Sequence, residues 1–132
     1  MIGLDTNVLV RYLAQDDKAQ SVLATKLIEE TLTVSNPGFI SVVSLVEVVW
    51  VLEGCYDSTK DEVIAIVERL LRVKQLRVQD AEVVWQAVRV FRNGKADFAD
   101  CLIERVGCAH GCGHTVSFDK TAIKAAGMVQ LS

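Results

Sequence analysis

The stretch Ile2-Gly3-Leu4-Asp5-Thr6-Asn7-Val8-Leu9-Val10-Arg11-Tyr12-Leu13-Ala14 changes period partway along. Residues 2–4 are short and apolar and read as a buried strand that ends at Asp5. From Thr6 onward, Val8, Leu9, Tyr12 and Leu13 recur at helical spacing. Strand, turn and helix in such close succession open an α/β chain, and the alternation continues to the other terminus. A helix over 19–32 is halted by Asn36-Pro37-Gly38, and a strand-like segment covers 39–43. Ser44 is placed to cap a helix over 45–56 that is apolar nearly all round and therefore expected to be largely buried. Next come an amphipathic helix over 58–71, a strand over 76–78, and a helix over 81–91 ending near Gly94. A helix over 97–109, a strand over 116–118 ending at Asp119, a short helix over 120–126 and a last strand over 128–131 complete the pass. Such alternation implies right-handed crossovers and a mainly parallel sheet covered on both faces.

Bulk properties narrow the class. A chain of 132 residues falls in the range of one domain, here read as 1–132. Its 51% hydrophobic content and single proline exclude the composition of a disordered segment. Residues 1–4 carry no basic leader, and no apolar run approaches membrane-spanning length, so the expectation is a cytoplasmic protein with no membrane partner. Cys55 stands alone while Cys101, Cys108 and Cys112 crowd together, which is a poor disulfide framework. A formal charge of −3 argues against a protein that coats nucleic acid through a broad positive field. It is compatible with a nuclease, because cations bound by clustered carboxylates would offset the negative charge where substrate docks.

Four acids stand out. Asp5 and Asp119 each finish a strand, and ligands of open α/β sheets bind beyond the carboxyl ends of strands. Glu47 and Asp100 lie in otherwise apolar helical stretches, where an ionised carboxylate must meet a cation, hydrogen-bond donors or a cleft. Helix capping is the competing explanation for Asp5 and Asp119, and pairing with a buried Arg or Lys is that for Glu47 and Asp100. Taken together, the set suits a hard divalent cation with oxygen ligands, able to activate water for in-line displacement at phosphorus.

Four segments, Leu4-Asp5-Thr6-Asn7-Val8-Leu9, Leu45-Val46-Glu47-Val48-Val49-Trp50-Val51-Leu52, Ala96-Asp97-Phe98-Ala99-Asp100-Cys101-Leu102-Ile103 and Ser117-Phe118-Asp119-Lys120, follow one another in this order. They resemble the ordered motifs of PIN-domain ribonucleases of the VapC type, over essentially the whole chain. The resemblance implies a three-layer α/β/α sandwich with a mainly parallel central sheet, a Mg²⁺ or Mn²⁺ site, endonucleolytic cutting of RNA, and silencing by a cognate antitoxin. By position, Asp5, Glu47, Asp100 and Asp119 match the family's catalytic and metal-binding acids. Thr6, Asn7 and Ser117 match its polar neighbours, with Ser117 in place of the commoner Thr. A homodimer and an antitoxin that lays an apolar segment near the helices at 8–13 and 50–56 are the expected assemblies.

Other residues invite roles with a plain alternative beside each. Asp97 is either an accessory metal ligand or the cap of its helix, and Glu104 reads as a solvated charge at the end of the same face. Cys108, His110, Cys112 and His114 have zinc-ligating chemistry but poor spacing. Arg11, Arg89, Arg92 and Lys95 could meet RNA phosphates, against the reading of solvated helix surface. Trp50 and Trp85 read as core rather than as stacking platforms. One rival function is an aspartyl-phosphate phosphatase or phosphotransferase with Asp5 as nucleophile, but Asn7 stands where such enzymes carry a second Asp. A non-catalytic metal- or RNA-binding module is the other rival.

Overall fold

The computed structural model describes all residues, 1–132, and divides them into two compact units, Met1–Gln79 and Asp80–Ser132. In the first unit, β1 (Ile2–Gly3), β2 (Gly38–Ile40) and β3 (Leu76–Val78) form a sheet in the order β1-β2-β3. Both pairings are parallel, with Ile2 opposite Gly38 and Gly38 opposite Leu76. Parallel neighbours need long crossovers. These are helical: α1 (Thr6–Ala14) and α2 (Lys18–Lys26) join β1 to β2, and α3 (Val42–Cys55) and α4 (Lys60–Arg72) join β2 to β3. Leu9, Ile28, Ile40, Leu45, Val48, Val63 and Leu70 are fully buried and supply the core of this unit. Each such side chain contributes on the order of 1.5–3 kcal/mol when it leaves water.

Helix ends follow sequence chemistry. Thr59 caps α4 through a capping box, its hydroxyl accepting from the Glu62 N–H while the Glu62 carboxylate accepts from the Thr59 N–H. Ser41, not Ser44, caps α3 and accepts the Ser44 N–H at 3.1 Å. The strand expected over 39–43 therefore stops at Ile40, and Val42 and Val43 are helical. The helix expected over 19–32 is α-helical only to Lys26. It then widens into a π-helical turn, Leu27–Thr31, closed by the Leu32 N–H on the Leu27 carbonyl. Burial also departs from expectation. Ile2 is exposed and only Leu4 seals the end of β1 into the core. On α3, Val43 and Trp50 stand in solvent although the helix is apolar nearly all round.

The second unit consists of α5 (Ala81–Asn93), α6 (Phe98–Ala109), β4 (Val116–Ser117), α7 (Lys120–Ala125) and β5 (Val129–Gln130). Helices α5 and α6 pack together through Phe91 and Phe98, whose rings meet edge to face at 5.8 Å. Strands β4 and β5 pair in parallel, Val116 opposite Val129, with α7 as the crossover. Strand β4 is shorter than its apolar run: Phe118 is 78% exposed and lies beyond the pairing. The architecture is α/β with parallel pairing throughout. No helix is long and apolar enough to cross a membrane.

Gly38 is where the core is tightest around the sheet. A Cβ there would lie 2.7 Å from Leu32 Cδ1 and 2.8 Å from Leu4 Cδ1, both on buried side chains. Gly38→Ala is therefore expected to lower stability by about 1–3 kcal/mol, as overpacking does, with an unchanged urea m-value. Urea denaturation followed by circular dichroism tests this. A variant as stable as the parent would show that the two leucines can give way.

Candidate functional site

In the first unit the ladder bond from the Leu4 N–H to the Phe39 carbonyl is the last before the chain turns. Asp5 follows in extended geometry and caps α1, its Oδ1 accepting the Thr6 N–H at 2.8 Å. The next residue links two helices, since the Thr6 hydroxyl donates to Glu47 Oε1 on α3 at 2.7 Å. Asp5, Thr6, Asn7 and Glu47 line one open groove of about 390 Å³, with Arg11 and Tyr56 also on its walls. Glu47 is exposed, so it escapes the burial cost that first drew attention to it, and no Arg or Lys pairs with it. Arg11 is already engaged: its Nε donates to Gln20 at 2.7 Å and its Nη1 lies 3.5 Å from Asp16. Tyr56 donates its hydroxyl to Asp16 at 2.6 Å, and that bond is the main reason the Asp16 carboxyl lies below its ordinary pKa.

The second unit gathers three aspartates around two helix starts. Asp97 caps α6, accepting the Asp100 N–H at 2.8 Å, so it fills the capping role. Asp119 caps α7, accepting the Ala122 N–H at 2.9 Å, while its own N–H donates to the Ser117 hydroxyl at 2.9 Å. Asp100 sits half-buried in the first turn of α6. Its pKa is raised, first by loss of water and then by the negative charges of Asp97 and Asp119 and by the hydrogen bond that the protonated Asp100 carboxyl donates to Asp97. An acid in the first turn of a helix is ordinarily favoured by the helix dipole. Here desolvation and like charge outweigh that.

Other expectations are corrected by burial and pairing. Glu104 is not a solvated charge: its side chain is 13% exposed and accepts two bonds from Arg105, at 2.6 and 3.2 Å. Trp50 is 59% exposed and so is not a core residue, and Trp85 is half-buried. Arg89, Arg92 and Lys95 are exposed. Cys108, His110, Cys112 and His114 are exposed and do not gather as a ligand set. Lys120 and Lys124, passed over in the sequence, are also exposed. Their i,i+4 spacing after Asp119 was the available signal.

No three His, Cys, Asp or Glu side chains are preassembled as metal ligands. Within each unit the donor chemistry nevertheless suits a hard divalent cation: Asp5 and Glu47 in the first, and Asp100 and Asp119 in the second, offer only carboxylate oxygens, and none is paired with Arg or Lys. The Asp100 pKa is raised first by loss of water and then by the neighbouring carboxylates Asp97 and Asp119, with no counter-charge beside it.

The raised pKa has a consequence for folding without metal. A carboxyl whose pKa is higher folded than unfolded binds its proton more tightly in the native state, so stability falls as pH rises above the unfolded value, near 3.8. Asp100→Asn removes that loss. With chelator present, the variant is expected to match the parent at the acid end, to exceed it as pH rises through the range in which the folded Asp100 carboxyl loses its proton, and to keep a level advantage above that range. Urea midpoints across a pH series check this; a constant difference between the two proteins would refute it.

A family model described as PIN domain matches residues 2–128. A VapC ribonuclease of Aquifex aeolicus (strain VF5) is 24% identical over 118 residues, spanning 89% of this chain and 86% of that protein. No solved structure gives a significant match. The family match spans nearly the whole chain, β1 and α1 included, and the chain belongs to the PIN-domain family.

Proposed function

We propose that the chain is an endoribonuclease that hydrolyses RNA phosphodiester bonds with bound Mg²⁺ or Mn²⁺, and that it is the toxin of a toxin–antitoxin pair. One observation carries the reading: unpaired carboxylates occupy all four motif positions of a chain that matches the PIN domain from residue 2 to residue 128. The relative named as a VapC ribonuclease supports the substrate class, and the resemblance of the four motifs to VapC-type enzymes supports the toxin role. In this reading residues 1–132 work as a single nuclease domain in the cytoplasm.

Asp5, Glu47, Asp100 and Asp119 would hold the cation, directly or through water, with Asp97 as an accessory group. When bound, the cation lowers the pKa of water and offsets charge on the phosphate oxygens. The chain's own groups set orientation. The Thr6 hydroxyl fixes the Glu47 carboxylate, the α1 cap fixes that of Asp5, and the Ser117 hydroxyl holds the backbone at Asp119. In-line hydrolysis leaves 5′-phosphate and 3′-hydroxyl ends. The antitoxin and homodimer proposals draw on exposed apolar surface in the first unit. Val22 and Leu23 stand 61% and 68% exposed on α2, beside a groove lined by Asn7, Val8 and Leu23. Val43 and Trp50 are exposed on α3.

The deciding experiment incubates a mixed-sequence RNA with the protein and Mn²⁺, with and without chelator. Cleavage is expected only without chelator, with 3′-hydroxyl ends; cyclic phosphate ends would overturn the mechanism. Asp5→Asn and Asp100→Asn should abolish cleavage with the fold retained by circular dichroism. Thr6→Val, which removes only the hydroxyl that holds Glu47, should lower it by about 10–100-fold, as loss of a ligand's hydrogen-bond partner does. Light scattering of the chain alone, then with the protein encoded beside it, tests the assembly. A monomer that neither binds its neighbour's product nor is inhibited by it would remove the toxin reading and leave the nuclease reading intact.

A further inference from the structure

In the second unit, Lys95, Lys120 and Lys124 line an open groove of about 710 Å³ together with Asn93 and Thr121. None of the three ammonium groups pairs with a carboxylate, in a chain whose Asp and Glu outnumber its Lys and Arg. Exposed lysines without an ion pair occur elsewhere on the chain, and what sets these three apart is that they share one groove.

The arrangement also works against local stability. Lys120 and Lys124 are four apart on α7, a helix of only six residues, and like charges at that spacing repel. Lys95 is brought to them by the close approach of the α5 C-terminus to α7. At Gly94 a Cβ would already touch the Ala125 carbonyl at 3.4 Å and the Ala125 Cβ at 3.6 Å. A polyanion in the groove would relieve the repulsion, and the neutral donors Asn93 and Thr121 add hydrogen bonds to phosphate oxygens. Position narrows the choice of polyanion, because α7 begins at Asp119, one of the four motif acids, and Lys120 is the residue after it.

We infer that the Lys95, Lys120 and Lys124 groove binds the RNA sugar-phosphate backbone and delivers the strand to Asp119 of the same unit. This rests on the ribonuclease reading, and it adds two residues, Lys120 and Lys124, to the substrate contacts. The lysines act as point charges on phosphates, so they raise affinity without selecting sequence. Their distance along the helix, roughly 5–6 Å between Cβ atoms, is comparable to one step along a strand.

The test is fluorescence anisotropy of a short labelled single-stranded RNA with the full chain in chelator, where binding is read apart from cleavage. Titrations are repeated across a salt series. Each phosphate contact on a single strand contributes about 0.7 to the slope of log K against log salt, so changing all three lysines to Gln should flatten it by about 2. The corresponding Lys→Arg triple variant keeps the charges and should keep the slope. Changing Lys18, Lys26 and Lys74 to Gln makes the same charge change on exposed lysines elsewhere and should leave the slope unaltered. A Lys95/Lys120/Lys124→Gln protein with the parent's slope would overturn the inference, as would a loss matched by the control triple. An RNA that binds through the groove but is never cut with Mn²⁺ would support this inference and count against the nuclease reading, so the two fail separately.

Discussion

At Asp5, Asp97 and Asp119 one carboxylate oxygen accepts a backbone N–H in the first turn of a helix, and the placement of two of the four motif acids, Asp5 and Asp119, depends on that bond. The first N–H groups of a helix have no partner within it, and a short acceptor just before it satisfies one at a gain of about 0.5–2 kcal/mol. The cap also fixes the carboxylate, because its own backbone must stay extended while the next residue turns into the helix. A residue placed in this way serves folding and chemistry with different atoms and different properties. Asparagine keeps the acceptor oxygen and loses the charge, whereas alanine loses both, so the two roles separate by side chain.

Pairing divides the acids of this chain more clearly than burial does. Glu104 is well covered yet harmless, since the Arg105 fork neutralises it. Asp100 is only half-buried but titrates upward because Asp97 and Asp119 add to its loss of water and nothing positive offsets them. Glu47 lies in the open, held by the neutral Thr6 hydroxyl alone. Lysines are available in the second unit but line the groove with Thr121 instead of quenching the acids. Kept apart in this way, the two charges remain usable: carboxylates for a cation and ammonium groups for an anion.

Helix starts were legible at Asp5, Asp97 and Asp119, because aspartate is a cap residue by chemistry and the helices that follow have clear periodicity. The start of α1 and the limits of β3 fall where the residues put them. Ser41 was missed because Val42 and Val43 have strand propensity that the serine cap overrides. Exposure was hardest to read. Apolar type constrains a buried position but does not oblige an apolar residue to be buried, so Trp50 and Phe118 gave no sign of standing in solvent. The order of the four motifs was legible along the chain, whereas the Thr6 bond to Glu47 joins residues far apart in sequence and needed the packing of α1 on α3 to appear.

Val43, Glu47 and Trp50 are spaced at i, i+4 and i+7 on α3 and are all exposed, so one stripe of the helix carries a carboxylate between two apolar side chains. A surface that covered the stripe would dry the carboxylate along with its neighbours. In a lower local dielectric an unneutralised Glu47 becomes costlier, and a cation beside it is held harder. Covering the stripe and filling the ion position would then be linked equilibria, each strengthening the other by the same factor. Ion affinity measured with and without a covering partner would read that factor directly, and an unchanged affinity would show that the stripe stays wet.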